Sequence, residues 1–133
     1  MSLLLSASVS NSTECNAYTT LNDATRSVFY SGSVSCDSGL LQGWYRFDGV
    51  GGSQIPETCP LQHSCGTHAP GWLSGTHPFV HQGTVNRTIC YHWSQGCCHW
   101  SNNVLVRNCG SFYVYRLERP PVCSLRYCTD WGK

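Results

Sequence analysis

The sequence of 133 residues contains little charge and almost no lysine. Charged residues make up 11% of the chain, against roughly 25% in ordinary soluble domains, and Lys133 is the only lysine. The formal net charge of +1 gives no basic field that would attract a nucleic acid. No apolar run approaches the roughly 20 residues of a membrane-spanning helix. We therefore expect no nucleic-acid partner and no membrane span in this chain.

Local motifs of enzymes and metal sites are missing too. The chain has no Gly-x-Ser-x-Gly elbow and no Cys-x-x-Cys pair. A zinc site would have to use Cys97, Cys98 and either His92 or His99, without the usual spacing of structural zinc ligands. We predict no catalytic residue, no metal site, no cofactor and no enzymatic activity. A secreted hydrolase that uses dispersed carboxylates is a third hypothesis, which no local pattern supports.

Cysteine, in contrast, is abundant. Ten cysteines in a chain of this length approach the enrichment of disulfide-stapled domains, and their even number predicts five disulfides. Disulfides persist in oxidising compartments, so we expect a secreted or extracellular protein, although no export signal is clearly visible. Cys97 and Cys98 should bond to different partners, because a disulfide between neighbours needs a strained peptide. Spacing alone does not choose among the remaining pairings.

Short stretches of β-branched and aromatic residues alternate with turn-forming residues, and no stretch has sustained helical periodicity. The pattern predicts strands at 27–30, 43–47 and 84–89 and a β-hairpin from 104–108 and 112–117. One short helical turn is expected after Asn22 or Asp23. Residues 55–79 contain four prolines and are expected to be irregular. The predicted fold is a small, disulfide-rich, mostly β domain with at most one or two short helices.

The chain divides into a flexible N-terminal leader (residues 1–14), one domain (residues 15–130) and a tail (residues 131–133). Two N-glycosylation sequons begin at Asn11 and Asn86, and we predict a glycan at each. Strict alternation puts Asn86 on the same strand face as Cys90. Either the strand changes parity before Cys90, or that face is only partly buried.

Several strings of aromatic residues with glycine and proline form a specific pattern together with the cysteines. They are 43–47 (GWYRF), 56–59 (PETC), 69–78 (APGWLSGTHP), 112–115 (FYVY) and 127–130 (YCTD), with the adjacent pair at 97 and 98. This pattern resembles the ten-cysteine domain of uromodulin-like extracellular proteins, which also occurs in the zymogen-granule membrane glycoprotein. The resemblance covers residues 15–130. It implies the disulfides Cys15–Cys109, Cys36–Cys123, Cys59–Cys97, Cys65–Cys128 and Cys90–Cys98.

The resemblance also implies a function. In that family the domain is non-catalytic and extracellular, and its N-linked high-mannose glycan is a decoy for the mannose-binding adhesin of bacterial type 1 pili. A secreted glycoprotein display module of innate defence is therefore expected, with proteins or microbial surface lectins as partners. The family's glycosylated asparagine corresponds to Ser74 here, so that sequon is missing. The possible display loop consists of Trp72, Leu73, Ser74, Gly75, Thr76, His77 and Pro78.

Two further alternatives stay open. One alternative to the display module is a lectin-like domain that itself binds sugar through exposed aromatic residues such as Trp72 or Trp100. The other is a structural module of a larger extracellular mosaic or zona pellucida protein. Six histidines, four of them within residues 60–81, allow a pH-responsive surface. The simpler expectation is that these histidines are exposed and make ordinary hydrogen bonds.

Overall fold

Seven strands of this computed structural model, which describes residues 13–94 and 96–132, form one sheet. They are β1 (Thr19–Leu21), β2 (Gly43–Phe47), β3 (Ala69–Ser74), β4 (Thr84–Trp93), β5 (Gly96–Asn108), β6 (Tyr113–Leu117) and β7 (Leu125–Tyr127). Their spatial order is β1-β2-β6-β5-β4-β3-β7. The outermost strands β1 and β7 run parallel to their neighbours, and all other neighbouring strands pair antiparallel. Asn11 and most of the predicted leader lie outside the described residues.

Helical structure in the described ranges is limited to four 3-10 turns of three residues each. One of them, Ala24–Arg26, begins directly after Asp23, where the sequence predicts a helical turn. None of the helices in the described part is long and apolar enough to cross a bilayer. The predicted fold class, a mostly β domain with five disulfides, is confirmed.

The hydrophobic core lies against one face of the sheet, which we call the core face. Leu73, Ile89, Val106 and Tyr115 project from it and are fully buried. Because side chains alternate along a strand, the residues directly before and after each of these in the sequence project from the opposite face of the sheet, which we call the outer face. This outer face is buried at some positions, such as Cys90 and Val114, and exposed at others, such as Ser74 and Asn86.

Two of the predicted segments are wrong. Residues 27–30 do not form a strand: Ser27 makes a single bridge to Thr129, and Phe29 is 89% exposed. Residues 55–79 are not irregular throughout, because they contain β3. Pro70 is tolerated in β3 because the pairing with β4 begins at Gly71, so that Pro70 pairs only with β7.

The five disulfides join the same pairs that the resemblance implies. Cys97 bonds to Cys59, and its neighbour Cys98 bonds to Cys90. The block 90–98 therefore connects the β4–β5 hairpin both to itself and to the loop that precedes β3. The described residues include no free cysteine.

A buried charged cluster attaches the segment before β2 to strand β7. The Arg26 guanidinium donates two hydrogen bonds of 2.9 Å to the Asp37 carboxylate and one of 3.0 Å to the Tyr127 carbonyl. Asp37 in turn accepts a hydrogen bond from the Tyr127 backbone N–H. Burial lowers the pKa of Arg26, but the hydrogen bond and charge of Asp37, with help from Asp23, outweigh it and leave this pKa raised. Arg26 therefore stays charged inside the fold.

Candidate display surface

The outer face near the end of β3 brings together Ser74, at which the resemblance implies that relatives carry a glycan, and the Asn86 sequon. Ser74 is the last residue of β3 and pairs directly with Thr88 of β4. Asn86 lies two residues from Thr88 along the same strand, so all three side chains project from the outer face. Ser74 and Asn86 are both exposed. As diagonal neighbours on adjacent antiparallel strands, they lie about 7–8 Å apart.

The strand keeps its alternation as far as Cys90. The register of β4 against β5 is regular from Thr84 to Tyr91, and the first irregularity lies between Tyr91 and Trp93. Asn86 and Cys90 therefore do project from the same face, which is only partly buried: Asn86 is exposed, whereas Cys90 is buried and disulfide-bonded to Cys98. Of the two possibilities that the sequence left open, the structure adopts the partly buried face.

The loop after Ser74 crosses from the outer face to the core face. Gly75 has φ +143°, a backbone conformation that favours glycine. The Arg87 Nε donates a hydrogen bond of 2.8 Å to the Thr76 carbonyl, and this bond attaches the loop to β4. Ser74, Gly75 and Thr76 are exposed, whereas His77 and the following proline are buried. The exposed part of the predicted display loop is thus three residues long and anchored at both ends.

His77 fixes the inner end of this loop and contradicts the expectation that the histidines are exposed. Its side chain is 3% exposed. Its backbone N–H and its ring Nδ1 lie 2.7 and 2.6 Å from the same Glu57 oxygen, Oε2. Its ring Nε2 lies 2.7 Å from the Tyr115 hydroxyl, which also accepts a hydrogen bond from the Ile55 backbone N–H. Burial lowers the pKa of His77, and the nearby Glu57 opposes this effect without cancelling it.

A cavity of about 260 Å³ lies beside this loop. Glu57 and Asp130 are its two carboxylates, and Gly75 and Thr76 line another part of it. Both carboxylates already make hydrogen bonds within the fold: Glu57 accepts from His77, and Asp130 Oδ1 accepts from the Gly132 N–H at 2.9 Å. Glu57 anchors the loop and Asp130 makes a local turn contact with Gly132, so their placement adds no specific support to the hydrolase hypothesis.

The two tryptophans named for sugar binding occupy different environments. Trp72 projects from the outer face, and its Nε1 donates a hydrogen bond of 2.8 Å to the Cys97 carbonyl. Trp100 lines a separate cleft of about 190 Å³ together with Trp93 and His68. The ring centroids of the two cleft tryptophans are 6.5 Å apart. The described residues that line the cleft offer aromatic surface and include no acidic or lysine side chain, so the cleft suits an uncharged ligand.

The metal alternative is not supported by the geometry. Cys59, His92 and Cys97 have potential ligand atoms within 4.8 Å of one another. The two sulfurs, however, are joined in a disulfide, and the ring Nδ1 of His92 lies 2.6 Å from the Pro60 carbonyl. Zinc binds thiolates rather than disulfides. This group therefore does not fit a zinc ion while the disulfide is intact.

A family model of the uromodulin-like domain matches residues 45–129, which is more than half of the chain. The chain belongs to this uromodulin-like family. It is 51% identical to uromodulin of Mus musculus over 117 residues, which is 87% of this chain and 18% of that protein. It is 53% identical over 118 residues to the pancreatic secretory granule membrane major glycoprotein GP2 of Canis lupus familiaris, at 87% and 23% coverage. This uromodulin-like chain thus spans about a fifth of the length of these relatives.

The loop of this uromodulin-like domain can be recognised in the sequence, but the residues that anchor it cannot. Glu57 and Tyr115 are 20 and 38 residues away from His77 along the chain. No local periodicity connects positions at such separations. The only available signal was that His77 directly precedes Pro78 inside a string that the resemblance had already marked.

Proposed function

We propose that the chain is a non-catalytic extracellular module that displays an N-linked glycan from Asn86 to lectins, including the mannose-binding adhesins of bacterial pili. The observation that carries this proposal is the shared outer face of Ser74 and Asn86. The family places its glycan at the position of Ser74. A glycan on Asn86 emerges from the neighbouring strand, on the same side of the sheet, within about 7–8 Å of that position.

The local pairing favours presentation at Asn86. β3 ends at Ser74, which pairs with Thr88 of β4. Within the described residues, the part of β4 that precedes Thr88, including Asn86, therefore has no paired strand on the side where β3 lies. On its other side β4 continues to pair with β5, where Asn86 lies opposite Leu105. Asn86 is therefore held by the β4–β5 pairing, and its exposed side chain lies past the end of β3. These are the conditions that a glycan needs in order to be displayed without unfolding its support.

The test compares glycosylation and adhesin binding in protein secreted by a eukaryotic host. Asn86→Gln should remove one glycan, seen as the loss of a mass shift that peptide N-glycosidase also removes from the parent. Asn11→Gln is included in every protein of this comparison, so that Asn86 is the sequon under test. In that background, Asn86→Gln should lower binding to an immobilised mannose-specific pilus adhesin to the level of the deglycosylated parent. Thr88→Ser is the matched control, because it changes the sequon but preserves it, and it should keep both glycan and binding.

A second variant restores the family's position. Ser74→Asn creates the sequon Asn-Gly-Thr with the existing Gly75 and Thr76, in an exposed loop. Combined with Asn86→Gln, it should recover adhesin binding that free mannose competes. If the parent carries oligomannose at Asn86 and does not bind, while the double variant does, then only the family's position supports recognition and the proposal for Asn86 is wrong.

A lectin-like domain is the second candidate, favoured by the cleft between Trp93 and Trp100. A pyranose has an apolar face that suits aromatic rings and hydroxyls that suit an imidazole such as His68, and the lining of the cleft offers both. Enzymatically deglycosylated protein on a glycan array tests this candidate. Specific retention that is lost in Trp100→Ala but kept in Trp131→Ala, which changes an exposed tryptophan elsewhere, would support it. Retention of no sugar would exclude it.

A further inference from the structure

His77 connects the inner end of the display loop to the core through a hydrogen-bond arrangement that requires a neutral ring. Tyr115 is fully buried, and burial raises the pKa of its hydroxyl well above the ordinary value, so the hydroxyl keeps its proton. Its oxygen accepts a hydrogen bond from the Ile55 N–H, which leaves the hydroxyl proton to be donated to Nε2 of His77. The ring proton must then lie on Nδ1, which donates to Glu57.

Protonation of Nε2 would disturb this arrangement at one specific place. An Nε2–H group no longer accepts the Tyr115 proton, so two donors would point at each other across 2.7 Å. The hydroxyl can rotate and accept from Nε2, but its own proton then needs a new acceptor inside a fully buried site. Separation of His77 from Tyr115 relieves the conflict, and it releases the loop that His77 terminates.

We propose that His77 is a proton-operated latch, which holds residues 75–78 against the core face at neutral pH and releases them on acidification. The release itself requires no ligand. Its importance for recognition rests on the proposed function, because residues 74–76 border the proposed display surface. The opening can therefore be measured independently of any glycan or adhesin.

Some of the charged and titratable groups around His77 raise its pKa, and others lower it. Glu57 contacts the ring and, with the more distant Asp130, favours the imidazolium form, whereas Arg87 opposes it. Tyr113 of β6 packs with its ring centroid 4.2 Å from that of His77, and Tyr115 bonds to the ring edge. Burial outweighs the carboxylates, so the pKa of His77 in the closed state lies below its ordinary value.

The sign of the pH dependence follows from this lowered pKa. A released His77 binds a proton near the ordinary value of about 6.5, whereas the closed state binds it only at lower pH. The opening equilibrium should therefore rise by up to about tenfold for each pH unit below about 6.5, until the pKa of the closed state is reached.

Hydrogen exchange of the full chain, followed by NMR, tests the latch. Rates are measured between about pH 7.5 and 5, above the ordinary pKa of a glutamate, and corrected for intrinsic exchange. The amides of His77 and Ile55 report on the latch because they donate to Glu57 and Tyr115. Their protection should fall as the pH is lowered. Protection of the Cys109 amide, which donates to Phe112 in the β5–β6 turn, should not change.

Variants separate the latch from a general loss of stability. His77→Gln should abolish the pH dependence. Glu57→Gln removes a group that favours the imidazolium in the closed state and so lowers the closed-state pKa of His77 further; the rise in opening should still begin at about pH 6.5 but continue to lower pH than in the parent. His81→Gln, in the exposed turn that follows, is the matched control and should leave the transition unchanged. If His77→Gln fails to fold, the parent and Glu57→Gln still decide. A His77 ring that titrates at or above about pH 6.5, or latch amides with pH-independent protection, would overturn the proposal.

Discussion

At the scale of single residues, the fold depends on a charge that is buried with its partner. Arg26 and Asp37 have side-chain exposures of 5% and 6%, and both also bond to the backbone of Tyr127. Asp37→Ala leaves the buried guanidinium with Asp23, a partly exposed carboxylate 3.2 Å from its Nε, in place of the buried pair. The change should destabilise the domain by roughly 3–5 kcal/mol. Urea unfolding with the disulfides intact measures this loss as a lower midpoint.

The control for this prediction is Asp48→Ala, which removes an exposed carboxylate of the same type and should change stability by less than about 0.5 kcal/mol. The double variant Arg26→Met/Asp37→Ala should lose less stability than the sum of the losses of the two single variants, because it also removes the buried guanidinium that Asp37→Ala leaves without its main partner. Equal effects of Asp37→Ala and Asp48→Ala would show that the pair is not important for stability.

At the scale of elements, the sequence predicted those strands whose own residues carry a local signal, namely alternation and a content of β-branched and aromatic side chains. The bounds 43–47 of β2 agree with the prediction, and β5 and β6 form the expected hairpin, because their alternation and the intervening turn are local features. β3 was missed because its sequence, APGWLS, contains a proline and a glycine and no β-branched residue, so it gives no local strand signal. Its pairing with β7 joins residues more than 50 positions apart, such as Ala69 and Leu125, and no local pattern shows it. The segment 27–30 has the composition of a strand, but no strand in the described part of the chain extends along it.

The close packing of β3 between β4 and β7 gives an element-scale prediction. A Cβ added to Gly71 would lie 2.6 Å from the Tyr91 ring and 3.0 Å from the Arg126 carbonyl. Since both neighbours are buried, Gly71→Ala should cost roughly 1–3 kcal/mol through overpacking. Gly43→Ala in β2, where an added Cβ meets nothing within 4 Å, is the matched control. Thermal unfolding of the two variants should separate them clearly, and a Gly71→Ala domain as stable as the control would contradict this packing argument.

At the scale of the whole molecule, the disulfides compensate for a small core and a poorly charged surface. The five pairs connect the ends of the domain to its centre, with sequence separations from 8 to 94 residues. The molecule should therefore contain no alkylatable thiol when folded. Intact-mass measurement after alkylation without reductant checks this, and recovery of two modified cysteines would break the five-disulfide assignment.

The contribution of each disulfide to the free energy of unfolding should depend on the number of residues in the loop that it closes. Cys15–Cys109 spans 94 residues, so the chain-entropy model assigns it about 4–5 kcal/mol, against about 2–3 kcal/mol for Cys90–Cys98, which spans 8. The short bridge also lies inside the β4–β5 hairpin, whose strands pair over most of their length without it. Paired replacement by serine should therefore lower the urea midpoint more at 15 and 109 than at 90 and 98.

Single replacements supply the control for this comparison. Cys98→Ser alone leaves Cys90 free to attack other bridges, so it should give more misbridged species on non-reducing gels than the paired replacement of Cys90 and Cys98. The single and the paired change should differ in this way only if these two cysteines are partners. A paired replacement at 90 and 98 that destabilises the domain more than the one at 15 and 109 would show that local strand geometry, rather than chain entropy, determines what these bridges contribute.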